Sequence, residues 1–174
     1  TQKSQWKIKE GKVSFNGRIV LPPQRQATVA LTSGGVIKNT SLLPGQHVTK
    51  NSVIATLENP EFITLQQTYL DSHAQTEYLR MEYERQKNLS AEQAASQKKF
   101  QQSKADYLSM KSRQDAAAAQ LSLLGVNPET LLRDGIQPLL EVKAPISGYV
   151  VNVAMNMGKY INPGEALCEV IDKS

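Results

Sequence analysis

The chain has 174 residues, 40% hydrophobic and 21% charged, the balance of a folded domain, which excludes collagen, a disordered tail and a disulfide scaffold. Its single cysteine, Cys168, can form no internal disulfide and builds no zinc site by itself. The net charge of +4 arises in residues 1–25, where Lys3, Lys7, Lys9, Lys12, Arg18 and Arg25 face one acid, Glu10, so the remainder is about neutral and no nucleic-acid partner is expected.

No apolar run reaches the roughly 18 to 20 residues of a membrane-spanning helix, and no signal-peptide core is present. The chain does not begin with Met, so a piece of a longer protein is expected. Val13, Phe15, Gly17, Ile19 and Leu21 alternate at period two before Pro22-Pro23, marking one strand in an N-terminal segment, 1–26. Residues 27–59 carry short apolar runs broken by Gly and Pro, a β pattern. From Glu61 to Leu124 there is neither Gly nor Pro, although the chain holds ten and eight of them. Asn59-Pro60-Glu61 opens this window as N-cap, first helical residue and acid at the positive end of the dipole. Leu123-Leu124-Gly125, then Pro128, closes it.

One helix of that length would run about 95 Å at about 1.5 Å per residue, so a break is expected, and Asn88-Leu89-Ser90 to Ser96 supplies it. Phe62, Leu65, Tyr69, Ser72, Thr76, Leu79, Tyr83 and Gln86 fall at heptad spacing before it. Phe100, Ser103, Tyr107, Met110, Gln114, Ala117, Leu121 and Leu124 do so after it. Residues 60–125 are therefore expected to form an antiparallel helical hairpin about 40 Å long, with its tip near 89–96. The seam is diluted by Thr, Ser and Gln, and acids and bases from Glu61 to Leu124 cancel at eight each. Residues 126–138 read as a linker, and 139–174 return to short strands.

The two β segments repeat each other. A shift of 113 positions lays Gly35-Val36 on Gly148-Tyr149, Gly45 on Gly158, Val48 on Ile161, Val53-Ile54 on Ala166-Leu167 and Leu57 on Val170, without a gap. Asn51 falls on Gly164, and Asn tolerates the left-handed region. Each half should contain about four short strands and cannot bury its faces alone, so the halves are expected to interlock into one small sandwich. Residues Ala27 to Asn59 and Leu139 to Lys173 are expected to hold the only compact core.

This pseudo-symmetric pair, "G-x-V, then P-G-x-x-V, then an apolar strand", resembles the lipoyl or barrel-sandwich hybrid fold. A lipoyl-like domain split by a long helical hairpin is similar to the periplasmic adaptor family (membrane fusion proteins, HlyD-like) of tripartite efflux pumps, most of all its heavy-metal and cation efflux members. The likeness covers roughly Ala27 to Lys173. It implies an α+β fold and a non-catalytic role bridging an inner-membrane RND transporter to a TolC-like outer-membrane channel. It also implies a hexameric ring and a location in the periplasm of a Gram-negative bacterium, with the inner-membrane anchor and most of a neighbouring β-barrel outside this sequence. The strand within 1–26 would belong to that barrel and be poorly anchored here. An ABC exporter or a type I secretion system is the alternative pump, and metal ions or drugs are the exported classes.

A second mark of the resemblance lies at the tip. Adaptors that dock on TolC-like channels carry Arg, then Leu four residues on, then Ser seven later, and this chain has Arg85, Leu89 and Ser96. Arg85 would present a forked donor, Leu89 an apolar anchor and Ser96 a cap for the second helix. The same residues also have a local reading, as a cation near a helix C-terminus, a turn cover and an N-cap. The tip sequence Glu92-Gln93-Ala94-Ala95 lacks the Gly that many relatives place there.

No P-loop, dinucleotide glycine pattern or Cys/His pairing occurs, so neither an enzyme nor a cofactor is expected. A biotinyl or lipoyl carrier would display Lys at the turn between the halves, where Glu58-Asn59 stands. A free-standing coiled-coil scaffold would not need the β repeat. Met155 and Met157, with His47 or Cys168, would be a soft-metal set. Strand alternation, however, puts both methionines on one face, where packing is the expected role, and Cys168 reads as a small strand hydrophobe. His73 is expected to be solvated or packed on a helix face.

Overall fold

A computed structural model describes residues 25–92 and 97–172. The 1–26 strand candidate therefore lies outside the described residues, as do Gln93 to Ser96. Among the described residues, eight strands and three helices follow in the order β1 (Gln26–Ala30), β2 (Gly35–Asn39), β3 (His47–Val48), β4 (Val53–Glu58), α1 (Pro60–Glu92), α2 (Gln97–Leu123), α3 (Pro128–Asp134), β5 (Leu140–Lys143), β6 (Gly148–Val151), β7 (Tyr160–Ile161) and β8 (Ala166–Ile171). The 113-residue shift carries β2, β3 and β4 onto β6, β7 and β8 residue for residue at their starts.

The two halves interlock completely. One antiparallel sheet runs β1-β8-β6-β3 and the other β5-β4-β2-β7, so the repeat operation turns each sheet into the other. The hydrogen bonds that tie the two halves repeat as well. Ile37 N donates to Lys159 O at 2.9 Å and Val150 N to Gln46 O at 2.9 Å; Asn51 N donates to Ala144 O at 2.8 Å and Gly164 N to Leu31 O at 2.7 Å. Asn51 takes φ 71° and its repeat mate Gly164 φ 81°, the left-handed conformation expected of that pair. Inward positions of both sheets, including Ile37, Leu57, Val150, Ile161, Leu167 and Val170, fill the sandwich core at 0–1% exposure.

The sandwich is not the only core. Phe62, Tyr69, Ala117, Leu121, Leu124, Leu131 and Leu140 form a second buried cluster where the hairpin meets the sandwich. Each full-sized side chain there contributes about 1.5–3 kcal/mol relative to exposure in water. Leu131 comes from α3, in the stretch expected to be linker. Asn127 Oδ1 accepts from Glu129 N at 3.0 Å, Pro128 starts the helix, and Gly135 at φ 83° returns its N–H to Leu131 O. Residues 126–138 thus close the base of the hairpin with a capped helix.

All the seam residues read from heptad spacing are buried or half-buried. Helix α1 ends within the stretch Asn88 to Ser96 expected to hold the break, and not at its first residues. Helix α1 continues to Glu92, with Ser90 Oγ turned back to Lys87 O at 3.0 Å inside the helix. Arms of 33 and 27 residues give lengths of about 50 and 40 Å.

Candidate functional site

The far end of the hairpin is held by an aromatic stack across the seam. The Tyr83 ring lies 5.6 Å from Phe100 and 5.5 Å from Tyr107, with interplanar angles of 16° and 10°. Nearer the base, His73 Nδ1 meets Gln114 Oε1 at 3.1 Å and its ring stacks on Tyr69 at 6.0 Å. These contacts compensate for a seam poor in aliphatic side chains.

At the base, two side-chain amides fix the hairpin to the sandwich. Asn59 is buried; its Oδ1 accepts from Glu61 N at 2.8 Å, and its Nδ2 donates to Gly34 O at 2.6 Å and to Ser33 Oγ. One residue thus caps α1 and ties it to the β1–β2 loop. Gln66 is fully buried and pairs with the backbone of Gln137 in both directions. Neither amide was singled out by apolar spacing, although the Asn-Pro-Glu signature marks Asn59 and, identically, Asn127.

Beyond the stack, Arg85 and Leu89 lie one helical turn apart on α1, with the Arg85 side chain 60% exposed and Leu89 42% exposed. Arg85 donates through Nε and one Nη to Glu82 at 3.2 and 2.8 Å. The pair fixes the guanidinium plane and leaves its second terminal nitrogen pointing to no described acceptor. Glu82 is held below the usual carboxylate range, first by the Arg85 hydrogen bond and then by that of Gln86. Arg85 and Leu89 are thus brought together as expected; Ser96 lies outside the described residues.

The soft-metal candidates do not converge. Met155 is a core residue at 8% exposure, whereas Met157 is 65% exposed. The expected shared face fails because β6 ends at Val151 and Asn152 takes φ 53°, so strand alternation does not extend to 155–157. His47 packs edge-on against Tyr149 at 5.1 Å, and Cys168 is buried in the sandwich, its thiol pushed up to about 11 by burial. No cluster of three or more His, Cys, Asp or Glu that could hold a metal occurs among the described residues.

The family model described as "CzcB-like, barrel-sandwich hybrid domain" matches residues 25–172. The chain belongs to this family. It is one of membrane fusion, or adaptor, proteins of efflux systems, a family not known for enzymes. Among solved structures this adaptor chain is similar to ZneB from Cupriavidus metallidurans, at 26% identity and TM-score 0.60, over 87% of this chain and 62% of that one. It is also similar to a candidate efflux transporter from Bacteroides eggerthii, at 25% identity and TM-score 0.60, over 85% and 40% of the two chains. A MacA-MexA chimera carrying the Pseudomonas aeruginosa MexA hairpin shares the fold at 21% identity and TM-score 0.60, over 84% and 48%. The adaptor chain therefore spans less than two thirds of these relatives. Among curated proteins none matches it.

Proposed function

We propose that the chain is the lipoyl-like and hairpin part of a periplasmic adaptor that joins an inner-membrane RND transporter to a TolC-like outer-membrane channel, for export of metal ions or drugs. One observation carries the reading: a hairpin pinned at its base by Asn59 and Gln66 ends in an exposed pair, Arg85 and Leu89, that serves no core. A side chain as apolar as Leu89, left 42% exposed beside an oriented guanidinium, suits a contact with another helical tip. Ser96 completes the docking set.

The adaptor transmits force and seals a duct, and the pump supplies the energy. A hexameric ring formed by lipoyl-like domains is part of the same proposal, as is a periplasmic location in a Gram-negative cell. The test is efflux by the full-length protein carrying Arg85→Asp or Leu89→Asp. Loss of efflux with normal adaptor abundance is expected. Unimpaired efflux and unimpaired cross-linking to the channel in both variants would remove the tip from the mechanism.

A further inference from the structure

The acids and bases of the hairpin cancel in number but are sorted along its length. From Arg85 to Lys99, at the far end, the sequence holds four bases, Arg85, Lys87, Lys98 and Lys99, and one acid, Glu92, net +3. The stretches nearest the sandwich, 61–71 and 113–124, hold three acids and one base, net −2. By helix the sums are −3 for α1 and +3 for α2, and the bases of α2 begin in its first turn.

Local stability does not account for Lys98 and Lys99. They stand at the positive end of the α2 dipole, where an acid is favoured and none is present. Both are exposed, as is Lys87, and none of the three has an ion pair among the described residues. The nearby acids of α1 are already engaged: Glu82 holds Arg85, and Glu84 turns back toward the base to Arg80 at 3.3 Å. Residues that break a local rule without a compensating contact inside the fold are placed for a contact outside it.

The cations and Leu89 are brought to one level. The Tyr83–Phe100 stack lies on one side of them, and on the other Gln97 Nε2 donates to Ser90 O at 3.4 Å. Lys98 and Lys99 are therefore level with the stretch of α1, about 10 Å long, that carries Arg85, Lys87 and Leu89. Three unpaired ammonium groups and one oriented guanidinium share the tip with an apolar side chain left 42% exposed.

We propose that Lys87, Lys98 and Lys99 form a cationic rim that recognises acidic side chains on the helical end of the outer-membrane channel, around the Leu89 anchor. This rests on the docking reading of Arg85 and Leu89 and names the charge of the surface they meet. A single Leu buries too little area to insert in a lipid surface, and a bare polyanion has no use for it. An apolar anchor inside a charged rim is the anatomy of a contact between proteins. The lysines steer the encounter and set partner choice, while Leu89 supplies the desolvated contact. The charge difference along the hairpin orients it as well, presenting its tip and not its base to an acidic surface.

The test uses the full-length protein in cells, with a photo-cross-linking side chain at Leu89 and adducts identified by mass. Lys98→Glu with Lys99→Glu is expected to lower the channel adduct several-fold. Arg113→Glu, the same kind of charge change on the same helix near the base, is expected to leave it unchanged. The purified double variant is expected to unfold at the temperature of the unsubstituted protein or above it, since acids now meet the dipole; lysines with a merely structural role would lose stability and adduct together. An undiminished adduct in the double variant would overturn the rim and leave the docking reading standing. No channel adduct with the lysines intact would remove the docking reading and the rim with it. Adducts to lipid or cell wall in place of the channel, or a lost adduct with a lower unfolding temperature, would also overturn the proposal.

Discussion

Gln66 and Gln137 are joined by a two-way amide-to-backbone pair, Nε2 donating to the Gln137 carbonyl at 2.9 Å and Oε1 accepting from its N–H at 2.7 Å. Gln66 Nε2 also reaches Phe62 O at 3.1 Å, so a buried side chain behaves as a rung of sheet between a helix and the segment entering β5. It connects residues 71 positions apart and sets the direction in which the hairpin leaves the sandwich.

Gln66→Leu should therefore cost about 1–3 kcal/mol, because two backbone groups of Gln137 lose their partners while the volume is retained. Denaturant unfolding measures the loss, and faster exchange of the Gln137 amide localises it. Unchanged stability with unchanged exchange would mean that water replaces the pair without penalty.

The sandwich should be intolerant at one glycine for a reason of space. A Cβ at Gly148 would lie 2.3 Å from Ile171 O, a backbone atom, whereas none at Gly45 meets anything within 4 Å. Gly148→Ala is expected to destabilise by more than about 2 kcal/mol. Asn51→Gly, at φ 71°, is expected to change stability by under about 1 kcal/mol. Thermal unfolding of the two variants gives the comparison.

Cys168 should be inert to thiol reagents in the folded protein. With its pKa pushed up to about 11 first by burial and then by the Glu169 charge, only on the order of one thiol in a thousand is ionised at pH 8. Labelling should follow global unfolding and speed up in denaturant. Stoichiometric labelling within seconds in native buffer would contradict the packing.

The sequence and the structure agree most where the signal was long. A gapless repeat exposed the interlocked sheets, because the same inward positions recur in both halves. The Gly- and Pro-free window exposed the hairpin. Within the stretch from Asn88 to Ser96, Asn88-Leu89-Ser90 stay helical, because without Gly or Pro they do not end a helix whose seam is already paired. Short-range reasoning misses α3, although Asn127-Pro128-Glu129 repeats the Asn59-Pro60-Glu61 start signal, because seven residues carry too little periodicity to stand out. Gln66 is not legible from apolar spacing, since polarity masks a buried position, and the neutral sum over the hairpin conceals the opposite net charges of α1 and α2.

The central claim is that the far end of the hairpin, and not its base, meets an outer-membrane channel. A photo-cross-linking side chain placed in the full-length protein at Leu89, and separately at Ile63 near the base, where exposure is a similar 40%, tests it directly. A channel adduct from position 89 and none from 63 is predicted. No adduct from 89, or equal adducts from both positions, would contradict the account.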